Sequence, residues 1–163
     1  MTQRTVAAIR LIVATCCLTA AGTAAAEVKL ENTVMKVAAV VNELGVAERH
    51  LVDADSVLPG DELRYTILFN NDGTEVVDAQ SIVITNPIPA DTEYLEGTAS
   101  GLTTEIVFSV DGETFARPEE LLVVDGGREV QASAEDYRSI RWTFQPPLAP
   151  GESSDVSFNV LLH

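Results

Sequence analysis

Serine-based catalysis needs a histidine that takes the proton of the nucleophile, and this chain has two histidines. His50 lies close to turn residues, and His163 is the last residue, where chains commonly fray. The Gly-x-Ser-x-Gly turn that exposes the nucleophile of many hydrolases does not occur in the sequence. A Ser–His–Asp site would depend on His50 alone, and we therefore expect no such site.

Paired carboxylates can hydrolyse glycosidic bonds, and the chain has 25 acidic residues. With so many acids, carboxylate pairs arise on any surface, and nothing in the sequence singles out one with a raised pKa. The aromatic residues that would stack on a sugar make up only 6% of the chain. We predict that the protein is not an enzyme, and we assign no catalytic residue and no cofactor.

Oxygen ligands from loops at one end of a β-sandwich would suit calcium, a hard cation. Six Asp and Asn residues have such a placement, on either side of one predicted strand: Asp53, Asp55, Asp61, Asn70, Asn71 and Asp72. The Asp-x-Asp-x-Asp-Gly…Glu loop is absent from the sequence, and Asn and Asp are common in turns because they bond to nearby backbone. We assign no metal ligand and keep a calcium- or carbohydrate-binding accessory module as an alternative.

An intramolecular isopeptide bond would join a lysine on a first strand to an asparagine on a last strand. Lys29 or Lys36 with Asn159 has the required order along the chain. Strand alternation places Val156 and Phe158 on the inner face and Asn159 on the outer face, which argues against the bond.

Short alternating runs between turn residues predict the elements that position these side chains. Val28 to Val41 and Val46 to Val52 flank the turn Asn42-Glu43-Leu44-Gly45 and predict an N-terminal hairpin, because β-branched residues are frequent. A helix over Val34 to Leu44 is the alternative, since several apolar residues there have helical spacing. Further strands are predicted at Glu62 to Asn70, Val76 to Thr85, Glu93 to Leu95, Thr104 to Val110, Glu113 to Phe115, Ser139 to Phe144 and Asp155 to Leu162.

The aromatic residues divide into two predicted groups. One group has the alternation of inward-facing core positions: Tyr65, Phe69, Phe108, Trp142 and Phe158. Tyr94 and Tyr137 lie near turns, and we expect them to be freer to contact a ligand. Two further turn signals are Gly126-Gly127 and a single helical turn capped by Ser133.

At these turns and aromatics the chain resembles the bacterial and archaeal conserved repeat domain, domain-of-unknown-function family number eleven. The motifs that carry the resemblance are Pro59-Gly60-Asp61, Tyr65-Thr66-Ile67, Asn71-Asp72-Gly73, Asn86-Pro87-Ile88-Pro89, Tyr94, Gly97, Phe108 to Phe115, Ile140-Arg141-Trp142-Thr143 and Leu148-Ala149-Pro150-Gly151. The resemblance covers about the whole chain after residue 26. It implies an immunoglobulin-like sandwich at the cell surface or in the periplasm, and the family contributes no catalytic residues. The stretch Ser109 to Phe115 is one residue short of an Asp-box pattern and predicts a structural turn.

The first 26 residues have the pattern of a signal peptide. Arg4 and Arg10 precede an apolar stretch, and Ala24-Ala25-Ala26 suits cleavage before Glu27. Both cysteines, Cys16 and Cys17, lie inside this segment, so residues 27–163 contain no thiol. We predict an exported protein, periplasmic, cell-surface or extracellular, with a single domain over 27–163.

The predicted domain is strongly acidic. Residues 27–163 contain eight basic and 25 acidic residues, a net charge of −17. Such a surface repels nucleic acid and anionic lipid, so we expect neither as a partner and no membrane insertion after cleavage.

The sequence thus predicts an all-β protein, an immunoglobulin-like antiparallel β-sandwich with an N-terminal hairpin. We expect a non-enzymatic structural or protein-interaction module of the envelope, with a protein partner or self-association. The alternative is a filament subunit that polymerises by exchange of its N-terminal strand, with Val34 to Val41 as the donor.

Overall fold

The computed structural model describes residues 26–163. Almost all of the predicted signal peptide therefore lies outside the described residues. Eleven strands and two short 3-10 helices follow one another along the described chain. The strands are β1 (Val28–Val41), β2 (Ala47–Asp53), β3 (Glu62–Asn71), β4 (Val83–Pro87), β5 (Thr92–Tyr94), β6 (Ser100–Gly101), β7 (Thr104–Ser109), β8 (Leu122–Asp125), β9 (Arg128–Gln131), β10 (Ser139–Phe144) and β11 (Ser153–Leu162); the 3-10 helices are Pro118–Glu120 and Ala134–Asp136.

The strands form two larger antiparallel sheets and a separate hairpin. The six-stranded sheet has the order β2-β1-β3-β11-β5, with β6 also paired to β11. The three-stranded sheet has the order β4-β10-β7, and β8 pairs only with β9. The all-β prediction and the predicted N-terminal hairpin are confirmed, since β1 and β2 pair from Met35 with Asp53 to Val41 with Ala47.

The two larger sheets pack face to face through aromatic side chains. Trp142 on β10 lies 5.9 Å from Phe158 on β11, between ring centroids, and Phe144 lies 5.2 Å from Phe69 on β3. Trp142, Phe69 and Phe158 have no exposed surface. One cluster of buried residues spans both sheets, as period-two alternation on each strand requires.

The fourth predicted strand, Val76 to Thr85, is shorter than the sequence indicates. Val76 to Thr85 contains only the start of β4, and Val77 makes an isolated bridge to Leu148. Within this segment Ile82 and Ile84 are buried, whereas Val83 points outward and is 52% exposed. The apolar run Ile82-Val83-Ile84 predicts from sequence that all three residues are buried. This prediction is wrong for Val83, because β4 has only one covered face.

A turn held by Asp111 lies where the sequence predicts the second strand of a tight hairpin. Oδ1 of Asp111 accepts hydrogen bonds from the backbone N–H groups of Glu113 and Thr114, each at 2.8 Å, and from the Ser109 hydroxyl at 2.8 Å. These bonds hold the pKa of Asp111 well below its ordinary value, with the Thr114 N–H contributing most. The predicted structural turn is present, but Glu113 to Phe115 is not a strand, and only Ala116 bridges back to Phe108.

Tyr94 and Tyr137 belong to the core rather than to a free surface. They are 3% and 6% exposed, and both pack against Phe108, with centroid separations of 5.4 Å and 4.6 Å. Burial raises the pKa of Tyr137. Position next to a turn did not predict exposure, because the 3-10 turn Ala134–Asp136 folds against β5.

Candidate binding surfaces

A polar pocket lies on the outer face of the six-stranded sheet, the face that points away from the three-stranded sheet. We call it the outer-face pocket. Its volume is about 440 Å³, and it extends from Leu51 on β2 and Val37 on β1 to Asn159 on β11. Thr98, from the segment between β5 and β6, and Ser100, on β6, form the far wall.

The register of the sheet positions the polar side chains of this pocket. Arg64 on β3 lies directly opposite Asn159, so the two side chains share a face. Arg64 donates a hydrogen bond of 2.7 Å to the Ser157 hydroxyl, which lies 2.9 Å from the Ser100 hydroxyl. The cross-strand network therefore ties β3, β11 and β6 together.

The prediction that Asn159 lies on the outer face of its strand is confirmed, but the side chain is only 6% exposed. The segment between β5 and β6 covers it, because the Asn159 N–H donates to the Thr98 hydroxyl at 3.0 Å. Its Nδ2 donates to Glu62 at 2.6 Å, and Glu62 also forms an ion pair with Arg49. Within residues 26–163, Oδ1 of Asn159 accepts no hydrogen bond.

Arg64 differs from Arg49 in its electrostatic surroundings. The described chain places no carboxylate within ion-pair distance of Arg64, whose contact is the neutral Ser157. Arg49, Arg64 and Glu62 together carry one net positive charge in a chain that is otherwise strongly acidic. Sequence reasoning missed this site, because only the register brings residues so far apart in the chain together.

The end of the N-terminal hairpin is a second surface, formed by residues 41–46, which we call the hairpin tip. Val41, Leu44 and Val46 are 65%, 87% and 55% exposed. Asn42 fixes the turn: its side-chain Oδ1 accepts from the N–H groups of Leu44 and Val46, both at 3.0 Å. The aliphatic side chains are therefore presented on an ordered turn.

A third surface is the open side of the sandwich between β1 and β4, which we call the lateral groove. Its volume is about 210 Å³, and Leu30 from β1 faces Ile82 and Ile84 across it. Leu30 is 55% exposed because the three-stranded sheet ends at β4 and leaves the inner face of β1 uncovered.

Four of the six calcium candidates are engaged by protein groups: Asp61, Asn70, Asn71 and Asp72. Asp61 accepts from Lys36 at 2.6 Å and from the Leu58 N–H at 2.8 Å, and these bonds lower its pKa. Asp72 pairs with Lys29, and this bond raises the pKa of Lys29. Asn71 is fully buried. Within residues 26–163, no group of three or more His, Cys, Asp or Glu side chains is placed to hold a metal ion.

The remaining chemical candidates are not brought together. His50 lies 3.4 Å from Glu48, and His163 lies 3.5 Å from Glu93. Lys29 and Lys36 lie on β1, whereas Asn159 lies on β11, and β3 separates the two strands. An isopeptide bond between them has no geometric basis in this fold.

In the described part of the chain, no helix has the length and apolar character needed to cross a membrane. The antiparallel arrangement of two packed sheets identifies the chain as an all-β protein with a sandwich-like architecture. Comparison with protein-family models, with curated proteins and with solved structures gave no match.

Proposed function

We propose that this chain is a non-enzymatic, exported structural module of the envelope that associates with further copies of itself. The observation that carries the proposal is that one chain presents two complementary surfaces, the hairpin tip and the lateral groove. The resemblance to the conserved repeat domain family, with its immunoglobulin-like sandwich, is consistent with such a role.

The two surfaces complement each other in shape and chemistry. The tip is a convex turn that carries Val41, Leu44 and Val46, and the groove is a concave apolar strip between β1 and β4. Insertion of Leu44 beside Leu30 and Ile84 would remove apolar surface of both copies from water, the main driving force of association. Because the tip is already ordered by Asn42, little conformational entropy is lost on binding.

Charge favours this contact over others on the molecule. Residues 34–52 contain Lys36 and Arg49 against Glu43 and Glu48, a net charge of zero. The remainder of residues 27–163 carries the whole net charge of −17. Two copies therefore repel each other least where the neutral hairpin makes the contact.

A contact between two different surfaces repeats from copy to copy and forms an open chain unless the rotation closes it. The result is a filament, as in the strand-exchange alternative, but β1 stays in its own sheet. Strand exchange would break the ten register pairs between β1 and β3, from Val28 with Asn71 to Val37 with Glu62. Tip-in-groove assembly requires no such loss and is the form that the geometry favours.

Complementation between two variants tests the proposal. Leu44→Glu places a charge on the tip, and Leu30→Glu places one in the groove; both side chains are largely exposed, so the fold is retained. We expect wild-type oligomers in light scattering, monomers for each variant alone, and a dimer in an equimolar mixture, which has one intact tip and one intact groove.

Val124→Glu is the matched control, because Val124 is 75% exposed and lies on β8, away from both surfaces. It should assemble like the wild type. Assembly should also strengthen when salt rises from about 0.05 to about 0.5 M, since salt screens the repulsion between acidic copies. A wild-type protein that stays monomeric at high concentration and high salt would refute the proposal.

A further inference from the structure

Two features of the outer-face pocket are not explained by packing of the sheet. Arg64 is a cation whose hydrogen bond goes to a neutral hydroxyl, so most of its five donors are available. Oδ1 of Asn159 is a buried acceptor without a donor in the described chain. A buried polar atom without a partner costs free energy, and a bound ligand is one way to satisfy it.

The first feature selects an anion. The guanidinium of arginine matches a carboxylate through two parallel N–H···O bonds. Glu62 already neutralises Arg49 and accepts from Asn159, whereas Arg64 has no such partner.

The second feature selects a hydrogen-bond donor on the same ligand. An acceptor such as Oδ1 of Asn159 pairs with a hydroxyl group, and the hydroxyls of Thr98 and Ser100 at the far wall can exchange further hydrogen bonds. Leu51 and Val37 close the opposite side with apolar surface, against which the C–H face of a ring can pack.

We propose that the outer-face pocket binds a small carboxylate that carries hydroxyl groups, the chemistry of an acidic sugar. Its volume of about 440 Å³ falls within the range of roughly 300–1,000 Å³ typical of ligand pockets. Arg64 binds the carboxylate, Asn159 accepts from a hydroxyl, and the walls fix the ring. The pocket lies on the opposite face of β1 from the lateral groove, so binding is independent of the proposed assembly.

Titration of the full chain with D-glucuronate, followed by amide chemical shifts in NMR spectra, tests this inference. We expect shifts at Arg64, Thr98, Ser100 and Asn159 that saturate. D-glucose, which lacks the carboxylate, and acetate, which lacks the hydroxyls, should each bind at least roughly tenfold more weakly, because each loses one set of hydrogen bonds. The source of the ligand is tested by comparing a galacturonate trimer with monomeric galacturonate. Tighter binding of the trimer would identify a polysaccharide as the source, and equal affinities would identify the free acid.

Arg64→Gln removes the charge and retains a donor for Ser157, and it should lower the affinity for glucuronate roughly tenfold or more. Arg141→Gln is the matched control, because Arg141 lies over the Phe115 ring at 3.6 Å on the three-stranded sheet. Its affinity should equal that of the wild type. The proposal is overturned if glucuronate does not bind, if acetate binds equally well, or if the two variants behave alike.

Discussion

At the scale of single residues, Asn71 shows how one buried amide connects distant parts of the chain. Its Nδ2 donates to the carbonyl oxygens of Glu75 and Leu148, at 2.7 and 3.0 Å, and its Oδ1 accepts from the Gly73 N–H at 3.0 Å. The side chain is completely buried. Asn71 therefore holds the turn after β3 against the chain that leads into β11.

Replacement of this side chain should destabilise the protein strongly. Asn71→Ala leaves the Glu75 carbonyl oxygen and the Gly73 N–H without this partner, whereas the Leu148 carbonyl oxygen keeps its bond from the Val77 N–H at 2.9 Å. We expect a loss of about 2 kcal/mol in the free energy of unfolding. Urea unfolding measures this loss. Asn70→Ala is the neighbouring control, because Asn70 bonds to Asp72 at the surface. It should cost less than about 1 kcal/mol, and equal losses for the two variants would contradict the assigned role of Asn71.

At the scale of elements, the β8–β9 hairpin differs from every other strand pair in the described chain, since neither strand joins a larger sheet. Val124 is 75% exposed, and all of β9 lies at the surface. Its attachment to the core comes from the flanking residues Leu121 and Ala132, which are buried and share a backbone hydrogen bond of 2.9 Å. A two-stranded hairpin of this kind is only marginally stable by itself.

The hairpin should therefore open without global unfolding. We expect the amides of Val123 and Val130, which lie opposite each other in the hairpin, to exchange with deuterium at least roughly tenfold faster than those of β10, because local opening exposes little apolar surface. Amide exchange followed by NMR resolves the two sets. Protection of β8 and β9 equal to that of Trp142 would show instead that the hairpin is part of the cooperative core.

At the scale of the whole molecule, the acidic residues make stability depend on pH in a defined direction. Hydrogen bonds lower the pKa of three carboxyl groups below the ordinary value of 3.8: the Lys36 ammonium donates to Asp61, and backbone N–H groups of turns donate to Asp111 and Asp136. A carboxyl group with a lowered pKa in the folded state stabilises the fold fully above the unfolded value. That contribution shrinks as the pH falls below about 3.8 and is lost below the folded pKa.

Thermal unfolding between pH 7 and pH 2 tests this dependence. We expect the melting temperature to fall steeply below about pH 4. Asp111→Asn should melt below the wild type at pH 7, and the difference should narrow as the pH approaches 2, because the variant has no proton to bind there. Asp125→Asn is the control, because the Asp125 carboxylate accepts no hydrogen bond within the described chain. This variant should follow the wild-type profile. A constant difference for Asp111→Asn across the pH range would show that charge plays no part in the turn.

Much of the fold could be predicted from local pattern. The strand Ser139–Phe144 has the bounds that the sequence predicts, since its alternation is followed by Pro146 and Pro147, which cannot donate to a ladder. The predicted helical turn begins at the Ser133 cap. Trp142, Phe69 and Phe158 are core residues as expected. Local prediction failed where another element decides whether a side chain is buried. No element covers Val83, whereas neighbouring elements cover Tyr94 and Tyr137.

The sequence by itself determined the all-β class, the N-terminal hairpin and the acidic charge. Alternation and turn chemistry depend on a few neighbouring residues, and the net charge depends only on the amino-acid composition. Only the tertiary structure decided which surfaces are candidates for binding. The outer-face pocket exists because antiparallel register sets Arg64 opposite Asn159, 95 positions later in the chain, and because the β5–β6 segment folds over them. The lateral groove exists because one sheet has six strands and the other has three. Register and the relative size of two sheets are set by long-range pairing, which local pattern does not encode.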